Sequence, residues 1–413
     1  MNKNFSFKLR AITFFQYVVI CGVIPVMSLY LKEIPGISGI KIGIILSMST
    51  AAGILSPLIS VYIADRYISA EKLFSVCNIA ASLLMTMLRQ QSSFLPILFI
   101  YLFLMMCITP STALINIMVF NFLGTEGRRF GSIRVWGTLG WIFMSLFFSY
   151  VWLGDIFFRD LEKSIGDILY FSSATALFLG LFSLTIHSEK KESKKSSTGL
   201  SLFGKDLSSP DRRRLFVFFL ISFFMSVVDK YYYMGLSPYL RYAGVSDKWI
   251  MPVISSGNIS EIFLMFFLFR ILVRFGFKIT LAAGAAAHCL RFFLFAFSDS
   301  IIPVLSAILI HGVTFALFSA ASYIYLDMYC SSKTRTSNHL VYSFVISGGG
   351  NLFGNLAAGN VFDISLSTFG SYSFFWFIPA IVSLISLFMI IIFIDNSKRS
   401  EEHTSELQSR QSI

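Results

Sequence analysis

Long apolar stretches punctuate the whole chain, each close to the ~20 residues that a helix needs to cross the hydrocarbon core of a bilayer. Twelve can be laid out, at 8–31, 40–63, 73–91, 95–121, 132–153, 167–187, 214–240, 249–272, 278–297, 301–327, 338–362 and 371–395. Inside a membrane every backbone N–H and C=O must be bonded within the chain, so stretches of this length are expected as helices. Composition agrees, with 55% hydrophobic and 13% charged residues and a mean hydropathy of +0.73, where a soluble domain carries about 25% charged. The pattern predicts an all-α polytopic membrane protein of twelve transmembrane helices and excludes an ordinary water-soluble fold.

Lys and Arg outnumber Asp and Glu by 33 to 22, a net charge of +11. In a soluble protein that excess would point to nucleic acid, but here the basic residues fall in short loops between the spans. With a cytoplasmic N-terminus, the loops assigned inside hold roughly threefold the Lys and Arg of those assigned outside. Both termini are therefore expected in the cytoplasm and the protein in the inner membrane, monomeric, with the lipid bilayer and not a nucleic acid polymer as its surroundings. The Lys/Ser-rich stretch 188–213 has the composition of a solvated linker. It divides six spans (1–187) from six (214–398), and short basic loops recur at matching places in the two halves. Two related six-helix bundles imply alternating access around a site near the midplane. The final run, Arg399-Ser-Glu-Glu-His-Thr-Ser-Glu-Leu-Gln-Ser409, reads as the translation of a common sequencing adapter, so 399–413 is set aside.

The five cysteines are dispersed, which supports neither a disulfide framework nor a metal cluster. Gly350-x-x-x-Gly354 in the eleventh span reads as close helix packing. Neither a nucleophile elbow nor a cofactor loop is found, so no enzyme and no cofactor are expected.

A charge at the bilayer centre costs about 2.5–3.5 kcal/mol on insertion scales, so the few present are the best functional candidates. Glu261 lies in the eighth span with Asn258 one turn away. Asp229 and Lys230 are central in the seventh, followed by three tyrosines including Tyr232. His288 and Arg291 fall in the ninth, His311 and Phe315 in the tenth. Glu261 reads either as a carboxyl that loads and releases a proton or as a permanent ion-pair partner of Arg291. His311 reads as a proton relay or as a packing contact, and His288 as structural. In the N-terminal half, Arg134-Val-Trp-Gly-Thr-Leu-Gly-Trp141 opens the fifth span with a cation, has two glycines three apart, includes Thr138 and ends on an aromatic plane. Arg134 is either a hydrogen-bond donor to a solute or an end anchor, and Trp141 a stacking plane or a packing residue. Asn116 and Gln16 add neutral hydrogen-bonding groups suited to an uncharged polar solute.

At these residues the chain resembles the major facilitator superfamily, and within it the nucleoside:proton symporters and the related lactose permease and phenylpropionate permease group. Ala64-Asp65-Arg66 through Lys72 is similar to the loop between the second and third helices of that family, with Val61 where the superfamily has a glycine. Pro110 through Asn116 and Ile133 through Trp141 resemble the symporters closely. In the lactose permease group, the arginine and tryptophan at these places bind and stack on sugar, which implies solute contacts for Arg134 and Trp141. Asn258-Ile-Ser-Glu261 resembles a Gln-Ile-Ser-Glu run whose polar residues contact nucleoside. Arg291 and His311 keep the spacing of a proton pathway, but the coupling glutamate of that pathway is Thr314 here, which leaves Glu261 or Asp229 to carry the proton. Asp229, Tyr232 and Ala316 replace Gln, Asn and Asp of the nucleoside pattern.

The resemblance implies a proton-coupled importer of a small polar solute, foremost a nucleoside, driven by the proton gradient. Its solute would contact Gln16, Asn116, Arg134, Thr138, Trp141, Asp229, Tyr232, Asn258, Glu261 and Phe315. Glu261, Asp229, Arg291 and His311 would couple the proton, and Asp65 with Arg66 would serve the conformational loop. A sugar or aromatic-acid symporter and a membrane sensor that binds without transport are the rival readings.

Overall fold

The computed structural model describes residues 3–66, 68–123, 130–154, 161–185, 209–298, 300–328 and 335–394, with the side chains of 3–5, 56–66, 117, 120–123, 130–132, 209–212 and 335–337 left aside. The sequence-derived linker 188–213 therefore lies almost wholly outside the described residues, as does 399–413.

The described chain is helical throughout and forms twelve spans. The first is made of Lys3–Cys21 and Met27–Glu33, parted by a turn that contains Pro25. A proline cannot donate to the helical ladder, and the chain turns there instead of running straight from 8 to 31. Gly39–Arg66, Ala70–Arg89, Phe94–Leu123, Phe130–Phe147 and Ile168–Ser183 are the second to sixth helices. Ser209–Tyr242 is the seventh. The eighth and ninth run within Asp247–Phe297 and part at Gly276, whose φ of 74° is a left-handed conformation that glycine adopts without a Cβ penalty. The tenth spans Ile301–Leu309, His311–Thr314 and Ala321–Asp327, the eleventh Arg335–Ser343 and Asn351–Phe369, and the twelfth Ser373–Phe393. Seven of the described helices are long and apolar enough to cross a membrane by length and composition alone. Several of the others are interrupted or carry mid-span polar residues, the price of function in hydrocarbon.

The chain divides into two compact units, Met1–Lys195 with Gly235–Ser255, and Ser196–Met234 with Ser256–Ile413. In the first unit small polar residues hold helices together, as expected where lipid supplies no hydrophobic drive between them. Ser75 donates to the Gly180 carbonyl at 2.6 Å, and the Ser173 hydroxyl lies 3.0 Å from Ser82 and 2.8 Å from Thr86. Charged groups gather near helix ends. Arg89 pairs with Asp167 at 2.9 Å, and Trp152 donates to the same carboxylate at 3.1 Å. Arg241 holds Glu33 at 2.7 Å and Asp247 at 2.6 Å.

The second unit is packed around an aromatic core in which Phe218 stacks on Tyr342 at 5.6 Å and on the other side meets Tyr325 at 4.8 Å. Two of its helices contain a π-helical segment, Phe315–Ala320 in the tenth and Phe344–Gly350 in the eleventh. Such segments shift hydrogen bonds off the α ladder and occur frequently at functional sites.

Candidate functional site: a mid-membrane polar cavity

The seventh helix carries Ser222, Ser226, Asp229 and Tyr233 at spacings of four, three and four, one face of an α-helix. That face borders a cavity of about 230 Å³ within the second unit. Lys230 and His288 also reach it, and the two π-helical segments bring Phe315, Phe318 and Ser319 on one side and Ile346 and Ser347 on the other. Tyr323, Tyr342 and Asn351 complete its polar lining. The cavity thus combines hydroxyls, aromatic faces and one carboxylate beside one ammonium. Such a wall hydrogen-bonds a neutral solute and stacks on its ring.

The eleventh helix comes close to the seventh because glycines face it. A Cβ on Gly350 would lie 2.7 Å from the Ser226 Cβ, and one on Gly354 would lie 2.8 Å from the Lys230 Cβ. The close packing read from Gly350-x-x-x-Gly354 is therefore present, and its contact is with the cavity-lining helix.

Beside the cavity lies a buried cluster around Arg291, which is 0% exposed. Its guanidinium reaches His311 Nδ1 and His288 Nδ1, each at 3.0 Å. It also lies over the Tyr232 ring at 4.1 Å and the Phe292 ring at 4.7 Å, and Tyr232 stacks on His311 at 5.0 Å. Since a guanidinium only donates, each Nδ1 must accept, which puts the imidazole proton of the neutral form on Nε2. The cation is thus offset by imidazole lone pairs and ring quadrupoles. Arg291 and His311, which the family resemblance places in one proton pathway, are in direct contact. His288, read as structural, is both a partner of Arg291 and a cavity residue.

Asn258 and Glu261 are half-buried on the eighth helix. That helix meets the tenth at Gly312, where Ser260 donates to the Leu309 carbonyl at 2.7 Å and accepts from the Gly312 N–H at 3.1 Å. A Cβ on Gly312 would lie 2.3 Å from the Glu261 backbone nitrogen, so the glycine sets the approach that holds Glu261.

In the first unit, Arg134, Thr138 and Trp141 share a face of the fifth helix. The Arg134 guanidinium lies 4.4 Å from the Tyr17 ring centroid, and Gly137 makes room for that ring. Trp141 is half-buried, and its carbonyl accepts from Cys21 Sγ at 3.3 Å. Gln16 is 0% exposed on the first helix, and Asn116 is half-buried on the fourth. Asp65 and Arg66 end the second helix, with side chains outside the described residues. Sequence reasoning missed Ser226, Tyr233, Ser319, Tyr323, Ser347 and Asn351 in the cavity wall. The one-face spacing from Ser222 to Tyr233 could have pointed to the first two.

Solved structures of transporters are similar to this one. The crystal structure of the nucleoside transporter NupG matches with a TM-score of 0.82 at 21% identity, over 96% of this chain and all of that one. A structure of the POT family transporter PepTSo matches with a TM-score of 0.70 at 12% identity, over 99% of each chain. At this identity the likeness shows the fold alone. The family profile described as nucleoside H+ symporter matches residues 3–399, and the chain belongs to that family. Among its relatives, YegT of Escherichia coli K12, a nucleoside transporter by prediction, is 28% identical over 378 residues, 87% of each protein. The xanthosine permease of the same bacterium is 23% identical, over 94% of this chain and 95% of the permease.

Proposed function

We infer that the protein imports nucleosides with protons across the cytoplasmic membrane by alternating access. The observation that carries this reading is the cavity itself. In a member of the nucleoside H+ symporter family, a mid-membrane space offers hydroxyls, ring faces and an ionisable carboxyl. Tyr233 and Phe315 supply ring faces for a base, while the serine hydroxyls and Asn351 suit a neutral sugar. Tyr232, Asn258 and Glu261 are further candidates for solute contacts in the same unit.

The proton rides on a carboxyl, and Asp229 is the first candidate because it lines the cavity beside Lys230 and His288. When Asp229 is ionised it neutralises the neighbouring Lys230, and when it is protonated that ammonium is left uncompensated. The two protonation states therefore favour different arrangements of the helices around them, and this difference in free energy is what ties solute movement to the proton. Glu261 is the second candidate. Arg291, held by His311 and His288, is a fixed cation beside this cavity. Both termini face the cytoplasm in this reading, as the distribution of Lys and Arg supports.

Purified protein in liposomes tests the proposal. Labelled uridine or adenosine should accumulate above equilibrium when the outside is made acid and should lose that accumulation when a protonophore collapses the gradient. Equal accumulation with and without the gradient would remove the proton from the account.

A further inference from the structure

The Ser226 hydroxyl has one proton and two oxygens beside it, the Ile346 carbonyl at 2.7 Å and Asn351 Oδ1 at 2.9 Å. The Ile346 carbonyl lies in the π-helical segment, where it also accepts from the backbone N–H of Asn351. A carbonyl has two lone pairs and donates nothing, so the shorter contact must take the proton of Ser226. The Asn351 amide, facing an oxygen that has spent its proton, must then donate to it. Which end of an Asn amide is nitrogen is decided by its partners, and two oxygens competing for one proton call for the amide turned over, with its NH₂ rather than Oδ1 on Ser226. The carbonyl oxygen of Asn351 is thereby left as a hydrogen-bond acceptor in the cavity wall.

This arrangement is held on three sides. Gly350 admits Ser226 at a distance that no Cβ would allow, the π-helical segment fixes the backbone of Asn351, and Ser226 fixes its side chain. A locked acceptor among hydroxyls is suited to a ligand group that donates one hydrogen bond and accepts another, which is what a sugar hydroxyl does. Ser222, Ser319 and Ser347 share the same wall.

We propose that Asn351, oriented by Ser226, accepts a hydrogen bond from a ribose hydroxyl and makes the transporter discriminate ribonucleosides from their deoxy counterparts. The proposal rests on the reading that the cavity takes nucleosides. A site built to bond a hydroxyl rejects the analogue that lacks it because the site's own polar group is left unpaired. One neutral hydrogen bond corresponds to a preference of about twofold to tenfold.

Counterflow in liposomes, with labelled uridine and with 2′-deoxyuridine, 3′-deoxyuridine, cytidine and adenosine as competitors, tests this. Wild-type protein should prefer uridine over at least one of the deoxy forms by about twofold to tenfold. Asn351→Leu should bring that ratio close to one while it keeps the ranking of uridine, cytidine and adenosine. Asn351→Asp, which retains an acceptor, should keep the preference, and Ser226→Ala, which lets the amide turn, should weaken it. An unchanged deoxy ratio in folded Asn351→Leu, or a change confined to the base ranking, would overturn the proposal. Should Asn351→Leu fail to fold, a wild-type ratio in Ser226→Ala would overturn it equally. No counterflow of any nucleoside by the wild type would instead defeat the underlying reading, and the assignment of Asn351 with it.

Discussion

The two units handle charge in opposite ways. In the first, Arg89 meets Asp167 and Arg241 meets Glu33 and Asp247 near helix ends, and neutral side chains such as Ser75, Ser82, Thr86, Ser173 and Asn78 make polar contacts between its helices. In the second, Asp229 and Lys230 sit midway along a helix, and a fully buried arginine rests on two imidazoles and two rings. The first arrangement is that of a frame, whose charges are neutralised where water and headgroups are near. The second places ionisable groups where each costs several kcal/mol, a cost retained only where proton or solute binding uses it.

The sharpest way to break this contrast is at Asp229. Asp229→Asn should lose proton-driven accumulation altogether and keep counterflow exchange, since a permanently neutral side chain can shuttle between states but cannot release a proton. If Asp229→Asn accumulates solute normally while Glu261→Gln does not, the proton belongs to the eighth helix. If both accumulate normally, neither carboxyl couples it.

A smaller but still large effect is expected at Arg291. Lysine keeps the charge but cannot bridge two imidazoles 3.0 Å away on separate nitrogens, so Arg291→Lys should cost about 1–3 kcal/mol, seen as a lower Tm in detergent and reduced uptake. Wild-type Tm and uptake would make the cluster incidental.

Gly312→Ala comes next, since its Cβ would fall 2.3 Å from backbone atoms of the eighth helix. The helices must part, at about 1–3 kcal/mol, and Glu261 moves with them. Reduced uptake at near-normal expression is the expected result, and unchanged transport would mean that the eighth and tenth helices are not tightly registered.

The smallest effect is expected in the frame. Arg89→Gln removes a partly exposed pair and should cost about 0.2–1 kcal/mol of stability without touching accumulation. Loss of proton-driven uptake in that variant would erase the distinction between the two units.

Much of this was legible in the sequence because hydrocarbon permits so few solutions. Twelve apolar stretches and a glycine pair in the eleventh translated into helices and a close approach, and Arg291 and His311, linked only through the family resemblance, are in contact. The turn at Pro25 escaped because it lies inside the apolar run 8–31, whose length alone does not show where a helix breaks. The Ser226–Asn351 pair escaped for a deeper reason. Its members are 125 positions apart and meet only because a π-helical segment redirects the eleventh helix, a departure from the α ladder that local composition does not announce. The part played by His288 escaped because its place one turn from Arg291 does not by itself say that it lines a cavity.

The central claim is that a nucleoside and a proton move together. The most direct measurement imposes a nucleoside gradient on liposomes at equal pH inside and out and follows the external pH with a sensitive electrode or dye. Inward nucleoside flow should raise the external pH in wild-type protein and not in Asp229→Asn. Nucleoside entry without any alkalinisation outside would contradict the account.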